Sequence, residues 1–312
     1  QPGAAITDHG NLYGALEFYY SAIKKKLIPI IGYEAYLIND SRFERPDREN
    51  NKRYHLTLLA ENTVGYWNLV NMASRAFIEG YYYKPRVDYE LLKEHSEGII
   101  ALSGCLGGEI SQFLAPDGST EEGNKEGERS YSKALEKAKF YQSIFGEENF
   151  YIELHNHGIE QQKLILPDLL KISEDIGAPL VATNDSHYVN KEDSSAHDAL
   201  LCVQTNATLD DETRFKFDGS GYYVKSSEEM RKIFPENKYP KACDNTLEIA
   251  ERINYNFSSP KYYLPDFPVP EEKTSVEQYL SKRVLEGAEE VYKKITKEIK
   301  DRINYELEVI NS

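Results

Sequence analysis

Two rhythms of apolar residues alternate through the first 190 positions. Short runs rich in β-branched side chains give way to segments whose apolar residues recur every three or four places, the pattern of strands feeding helices around a parallel sheet or barrel. Strands are predicted at 4–7, 28–38, 54–60, 99–103, 150–154 and 180–183, and helices at 12–26, 65–79, 89–94, 132–145 and 161–176. The polar stretches 39–52 and 116–128 are expected as exposed loops. From Asp193 the rhythm changes to helices with irregular connections, and Pro260, Pro265, Pro268 and Pro270 mark an extended linker. The expected division is a domain over 1–258, a linker over 259–274, and a Glu- and Lys-rich helical region over 275–312.

Composition narrows the classes open to such a chain. With 40% hydrophobic and 12% aromatic residues over 312 positions, it can bury a substantial core. No apolar run approaches the roughly 20 residues that span a bilayer, and the first residues lack the pattern of a secretory signal. The cytoplasm is therefore the expected compartment, with no membrane partner. Cys105, Cys202 and Cys243 form no CxxC pair, so neither a disulfide framework nor a thiolate zinc knuckle is indicated. A net charge of −15 argues against a broad basic surface, so any contact with nucleic acid must be local. The sequence opens without Met and ends inside a helical pattern, and both ends are expected to lie within a longer protein.

Side chains able to bind metal gather where strands end. Asp8 and His9 follow the first predicted strand, Cys105 follows the run at 99–103, and Asp185 and His187 follow the run at 180–183. Glu34 and His55 lie on strands of the same series. Loops at the strand ends of a β/α barrel converge, which would bring these residues together. Singly, each has a plainer reading. Asp8-His9 could be a turn or helix cap, Glu34 a solvent-facing strand end, His55 a satisfied core histidine, and Cys105 a small residue in a Gly-rich turn. Asp185 and His187, two apart, can address one ion with a carboxylate oxygen and an imidazole nitrogen. Glu34 follows Ile30-Ile31-Gly32-Tyr33, where an unpaired carboxylate is costly to bury and a cation would offset that cost. His155 and His157 read as a polar strand-end loop, and His95 and His197 as surface residues. The run Tyr81-Tyr82-Tyr83-Lys84-Pro85-Arg86 reads as packing under a loop, with base stacking as the alternative.

Taken together, Ala5-Ile6-Thr7-Asp8-His9-Gly10-Asn11-Leu12-Tyr13-Gly14-Ala15, Ile30-Ile31-Gly32-Tyr33-Glu34, Tyr54-His55-Leu56-Thr57-Leu58-Leu59-Ala60, Tyr82-Tyr83-Lys84-Pro85-Arg86, Leu102-Ser103-Gly104-Cys105-Leu106-Gly107-Gly108-Glu109 and Ala182-Thr183-Asn184-Asp185-Ser186-His187-Tyr188 resemble the PHP (polymerase and histidinol phosphatase) family. The branch they resemble is that of bacterial replicative polymerases, the alpha subunit of DNA polymerase III. The resemblance implies a distorted seven-stranded β/α barrel with a multinuclear divalent-metal cluster of Zn, Mn or Fe at one mouth. It implies His9, Glu34, His55, Cys105, Asp185 and His187 as ligands, with Glu34 bridging two ions and Asp8 and His157 supporting them from behind. It places the family's His-x-His strand before Gln1, and the polymerase's Mg-binding carboxylates beyond Ser312. The activity it implies is DNA synthesis by the parent protein from deoxynucleoside triphosphates, with this domain either hydrolysing phosphoesters, as in 3′–5′ editing, through water acidified by the metals, or scaffolding the proofreading exonuclease subunit and other subunits of the replicase. A free-standing phosphatase resembling histidinol phosphatase and a metal-free interaction module are the alternatives.

Overall fold

The computed structural model describes residues 2–47, 51–116, 129–257, 265–270 and 274–312. Parts of the loops predicted at 39–52 and 116–128 and of the linker at 259–274 lie outside the described residues. The chain forms two compact units, Gln1–Asn256 and Phe257–Ser312.

In the first unit the described strands are β1 (Gly3–His9), β2 (Ile28–Ile38), β3 (Tyr54–Ala60), β4 (Arg86–Asp88), β5 (Ile99–Leu102), β6 (Phe150–Leu154) and β7 (Leu180–Ala182). They make one seven-stranded sheet in the order β1-β2-β3-β5-β6-β7, curled into a half-barrel, with β4 pairing the end of β2. The helices are α1 (Ala15–Lys24), α2 (Thr63–Ile78), α3 (Tyr89–Glu94), α4 (Glu109–Leu114), α5 (Tyr131–Phe145), α6 (Glu160–Ile176), α7 (Ser194–Thr205), α8 (Ser227–Ile233) and α9 (Asn245–Arg252). The sheet is not parallel throughout, because β3 runs antiparallel to both β2 and β5. The physical reason lies in the connection between β2 and β3, whose described residues carry no helix: an antiparallel neighbour needs only a loop, whereas a parallel one needs a crossover. Two short elements before residue 190 escaped the sequence pattern, β4 and α4.

Period-2 alternation assigns every strand an outer and an inner face. Tyr33, Ala35 and Leu37 of β2, Leu56 and Leu58 of β3, Ile99 and Ala101 of β5, and Phe150, Ile152 and Leu154 of β6 face outward into a large core shared with the helices. The inner face starts apolar, with Ile30, Leu59, Ile100, Leu102, Tyr151 and Val181 packed together under Ile249 and Ala250 of α9. Further along the same face the side chains become Glu34, His55, Thr57 and Glu153, so the strands themselves carry polar groups to one end of the half-barrel.

The second unit contains α10 (Val276–Val291) and α11 (Lys297–Asn311). The single helical region predicted at 275–312 is interrupted at 292–296, where Tyr292 is extended and Thr296 begins a new helix, its Oγ1 accepting the Ile299 N–H.

Candidate metal centre

At the polar end, Glu34 is 8% exposed and sits between two imidazoles. His55 Nδ1 lies 2.7 Å from its Oε1 and His9 Nδ1 lies 3.1 Å from its Oε2. Strand register produces this arrangement: His9 is the β1 partner of Glu34, and His55 pairs with Tyr36, two residues along β2 on the same face. His55 belongs to the start of β3 rather than its end, which is where an antiparallel strand must place a residue meant for the same mouth. Ligand-capable atoms of His9, Glu34 and His55 all fall within 4.8 Å of one another.

The other expected ligands surround this trio. Cys105 Sγ is 3.6 Å from His55 Nδ1. The turn that delivers it depends on Gly104, whose φ of +88° suits glycine and whose added Cβ would lie 2.6 Å from the His55 carbonyl oxygen. Asp185 and His187 line the same cavity of about 270 Å³ but fall outside the tight trio; the His187 ring centroid is 6.1 Å from that of His9. Asp185 has φ 44°, a left-handed conformation Asp tolerates better than most residues. His187 Nδ1 donates to the Asp185 carbonyl at 2.8 Å, which leaves the lone pair on Nε2.

The electrostatics are those of a site built around charge. Burial pushes the Glu34 carboxyl up, but His55 and His9 outweigh it and hold it well below the usual carboxylate range. The hydrogen bond to Glu34 raises His9. His55 is lowered by burial and raised further by Glu34 and Cys105, ending well above an ordinary imidazole. Burial raises the Cys105 thiol, and burial with the Glu34 charge raises Asp185. Borderline nitrogen, carboxylate and thiol donors converging in one cavity fit a divalent cation, and His9, Glu34 and His55 are the residues best placed to hold it.

Several neighbours take places the sequence did not reveal. Asp8 points to the face opposite His9, and its Oδ2 accepts the Gly14 N–H at 3.0 Å, so the structure ties it to the start of α1 rather than to His9. His157 stacks on Tyr222 at 4.0 Å and bridges Gln162 and the Asn184 carbonyl, 2.8 Å to each, steadying the loop that carries Asp185. Burial, then the charge of His155, pushes His157 down to about 3. His155 follows directly on the end of β6, as expected, but it is buried rather than exposed: it is 8% exposed, its Nε2 contacts Glu153 at 3.1 Å and Thr183 at 2.6 Å, and its Nδ1 has no hydrogen-bond partner. Glu153, in an apolar strand, also receives the Gly104 N–H at 3.0 Å; the argument that singled out Glu34 applies equally to it. His197 lines the cavity 5.6 Å from the His187 ring, and His95 is part-buried against Asn68, so neither is a simple surface residue. The tyrosine run divides: Tyr82 lies under Arg45 and Arg86, and Arg86 is buried with hydrogen bonds to three carbonyls, while Tyr81 and Tyr83 are exposed.

A family model described as the PHP domain matches residues 1–157. The chain belongs to the PHP family. Its similarity to curated relatives runs past that match. The DNA polymerase III subunit alpha of Borreliella burgdorferi is 41% identical over 98% of this chain and 26% of that protein. The subunit of the same name from Treponema pallidum is 42% identical over 99% of this chain and 25% of the relative, and that of Thermus aquaticus 44% identical over 92% and 23%. This PHP chain thus spans about a quarter of the length of the relatives it matches. Among the described residues, no helix is long and apolar enough to cross a membrane.

Proposed function

We propose that the PHP cavity is a divalent-metal phosphoesterase centre within a replicative DNA polymerase, with His9, Glu34 and His55 as its inner ligands and Cys105, Asp185 and His187 completing the set. The observation that carries this reading is Glu34, a buried carboxylate placed between two imidazoles at the floor of a cavity that also holds a thiol, a carboxylate and a third imidazole. A bound divalent cation supplies Lewis acidity there, acidifying water and neutralising charge that builds on a phosphoryl oxygen. The chain's own contributions are orientation and charge. Glu34 fixes two imidazoles at once, His157 and Asn184 hold the Asp185 loop, and Arg53, Lys84 and Lys216 at the cavity wall offer positive charge to a substrate phosphate. A second cavity of about 590 Å³ lies between β1 and β7, lined among others by Asp8, Glu153, His155 and Asp185.

The parent activity proposed from the relatives is template-directed DNA synthesis from deoxynucleoside triphosphates, alongside other replicase subunits that include a proofreading exonuclease. Metal content by mass spectrometry on protein purified without chelator tests the centre itself. Bound Zn, Mn or Fe that is lost on Asp185→Ala with His187→Ala supports the ligand set. A folded chain that takes up no metal refutes it and leaves the scaffold reading.

A further inference from the structure

Four residues beyond His9 the surface changes character. Tyr13 is 81% exposed, Tyr81 53% and Phe77 38%, yet their rings meet. Phe77 and Tyr81 stack with centroids 5.9 Å apart and planes 19° from parallel, and Tyr13 lies 6.4 Å from Phe77 at 34°. A single exposed apolar side chain is ordinary, but a contiguous rank of aromatic faces is a mark of binding.

The two segments that carry Tyr13 and Tyr81 also supply residues to the metal cavity, His9 from the first and Lys84 from the second. Gly10, with φ +70°, lets the turn after β1 approach the Tyr-Lys-Pro-Arg segment so closely that a Cβ there would lie 2.8 Å from Pro85 Cγ and 2.9 Å from the Tyr36 ring. Lys84, beside Pro85, holds its Nζ 5.3 Å over Tyr36, and Tyr36 stacks against His9 with centroids 6.3 Å apart. Lys84 and Arg53 line the cavity wall. Along these two segments ligand, cation and flat rings thus follow one another within a few residues, His9 to Tyr13 and Lys84 to Tyr81. Flat rings accept any base by its π face, and the cations accept the backbone that joins the bases.

We propose that Tyr13, Phe77 and Tyr81 form a stacking platform for single-stranded nucleic acid, whose terminal phosphodiester passes Lys84 into the metal cavity. The last step rests on the phosphoesterase reading; binding to the platform does not. Because the chain carries a net charge of −15, stacking must supply most of the grip. Affinity should fall with salt no more steeply than a log–log slope of about −1.4, at about −0.7 for each of two neutralised phosphates.

The test is fluorescence anisotropy of the full 312-residue chain, treated with chelator, titrated into labelled oligothymidylate and into a duplex of equal length. The single strand should bind more tightly than the duplex. Tyr13→Ala and Tyr81→Ala should each weaken it roughly tenfold, and Lys84→Ala should weaken it while flattening the salt slope. Both tyrosine variants should still hydrolyse a small chromogenic phosphodiester once loaded with metal, which separates failure of the platform from failure of the centre. Absence of single-strand binding, or binding indifferent to both tyrosine substitutions, overturns the proposal. Self-association that Tyr13→Ala abolishes, without oligonucleotide binding, overturns it in favour of a protein partner.

Discussion

Replacing Glu34 by Gln keeps the shape of the side chain and removes its charge. In the metal-free chain, two charge-assisted contacts become neutral ones, a loss of about 1 kcal/mol each. The buried site also no longer has to desolvate a carboxylate, which offsets part of that loss. A net destabilisation of about 2 kcal/mol or less follows, which for a domain of this size lowers Tm by about 4–8 °C at most. The effect on metal should be larger in kind. A ligand set saturated at one hundred times its Kd adds about 2.7 kcal/mol to stability, and without the central carboxylate that increment should vanish over the same concentrations. Differential scanning fluorimetry with and without Mn²⁺ or Zn²⁺, paired with metal analysis, reads both quantities. Glu34→Gln protein that keeps the wild-type metal stoichiometry and the wild-type thermal shift would refute the bridging role and the centre built on it.

Other sites give independent checks. Arg42 is 2% exposed, with its guanidinium 2.9 Å from Asp88 and 2.6 Å from Glu79, so Arg42→Met should cost about 3–5 kcal/mol in urea unfolding by leaving Asp88 buried and uncompensated. Gly104→Ala meets both a left-handed φ and the His55 carbonyl, and should destabilise by more than about 1 kcal/mol while reducing bound metal. Burial, reinforced by Glu109, pushes Tyr54 up from 10.0 to about 12. The unfolded chain loses that proton first, so its contribution to stability is complete below pH 10 and declines as pH rises through about 12; Tyr54→Phe should flatten that decline in chemical denaturation.

Much of the architecture could be read from periodicity, because strands buried on both sides, such as Ile28–Ile38, leave an apolar run that no loop would carry. Strand direction could not be read, since the antiparallel course of β3 depends on pairing partners distant in sequence. The site was partly legible for the same reason as the strands: Glu34 interrupts an apolar run and asks for a counter-charge. Glu153 makes the same request in Phe150-Tyr151-Ile152-Glu153-Leu154, and His155 two positions on answers part of it, but its other partners Thr57, Thr183 and the Gly104 amide lie 96, 30 and 49 positions away, beyond any local pattern. His197 shows the opposite limit. It sits on a helix whose sequence looks solvated, and only the packing of α7 beside the Asp185 loop brings its ring to His187.

The reversed strand β3 carries a practical consequence. A helical crossover after β2 would have returned the chain to the far end of the sheet, and β3 would then have entered from its apolar base. A loop keeps the chain at the mouth instead, so Arg53 on the cavity wall and His55 at its floor are supplied by one short stretch. On the proposed reading, changes of length between β2 and β3 should alter what the mouth admits while the pairing of Gly32–Leu37 with Tyr54–Leu59 keeps Glu34 and His55 in register. If the cavity is the metal centre proposed above, substrate selection and metal geometry fall under separate control, by a loop and a fixed ladder that meet at a single residue step.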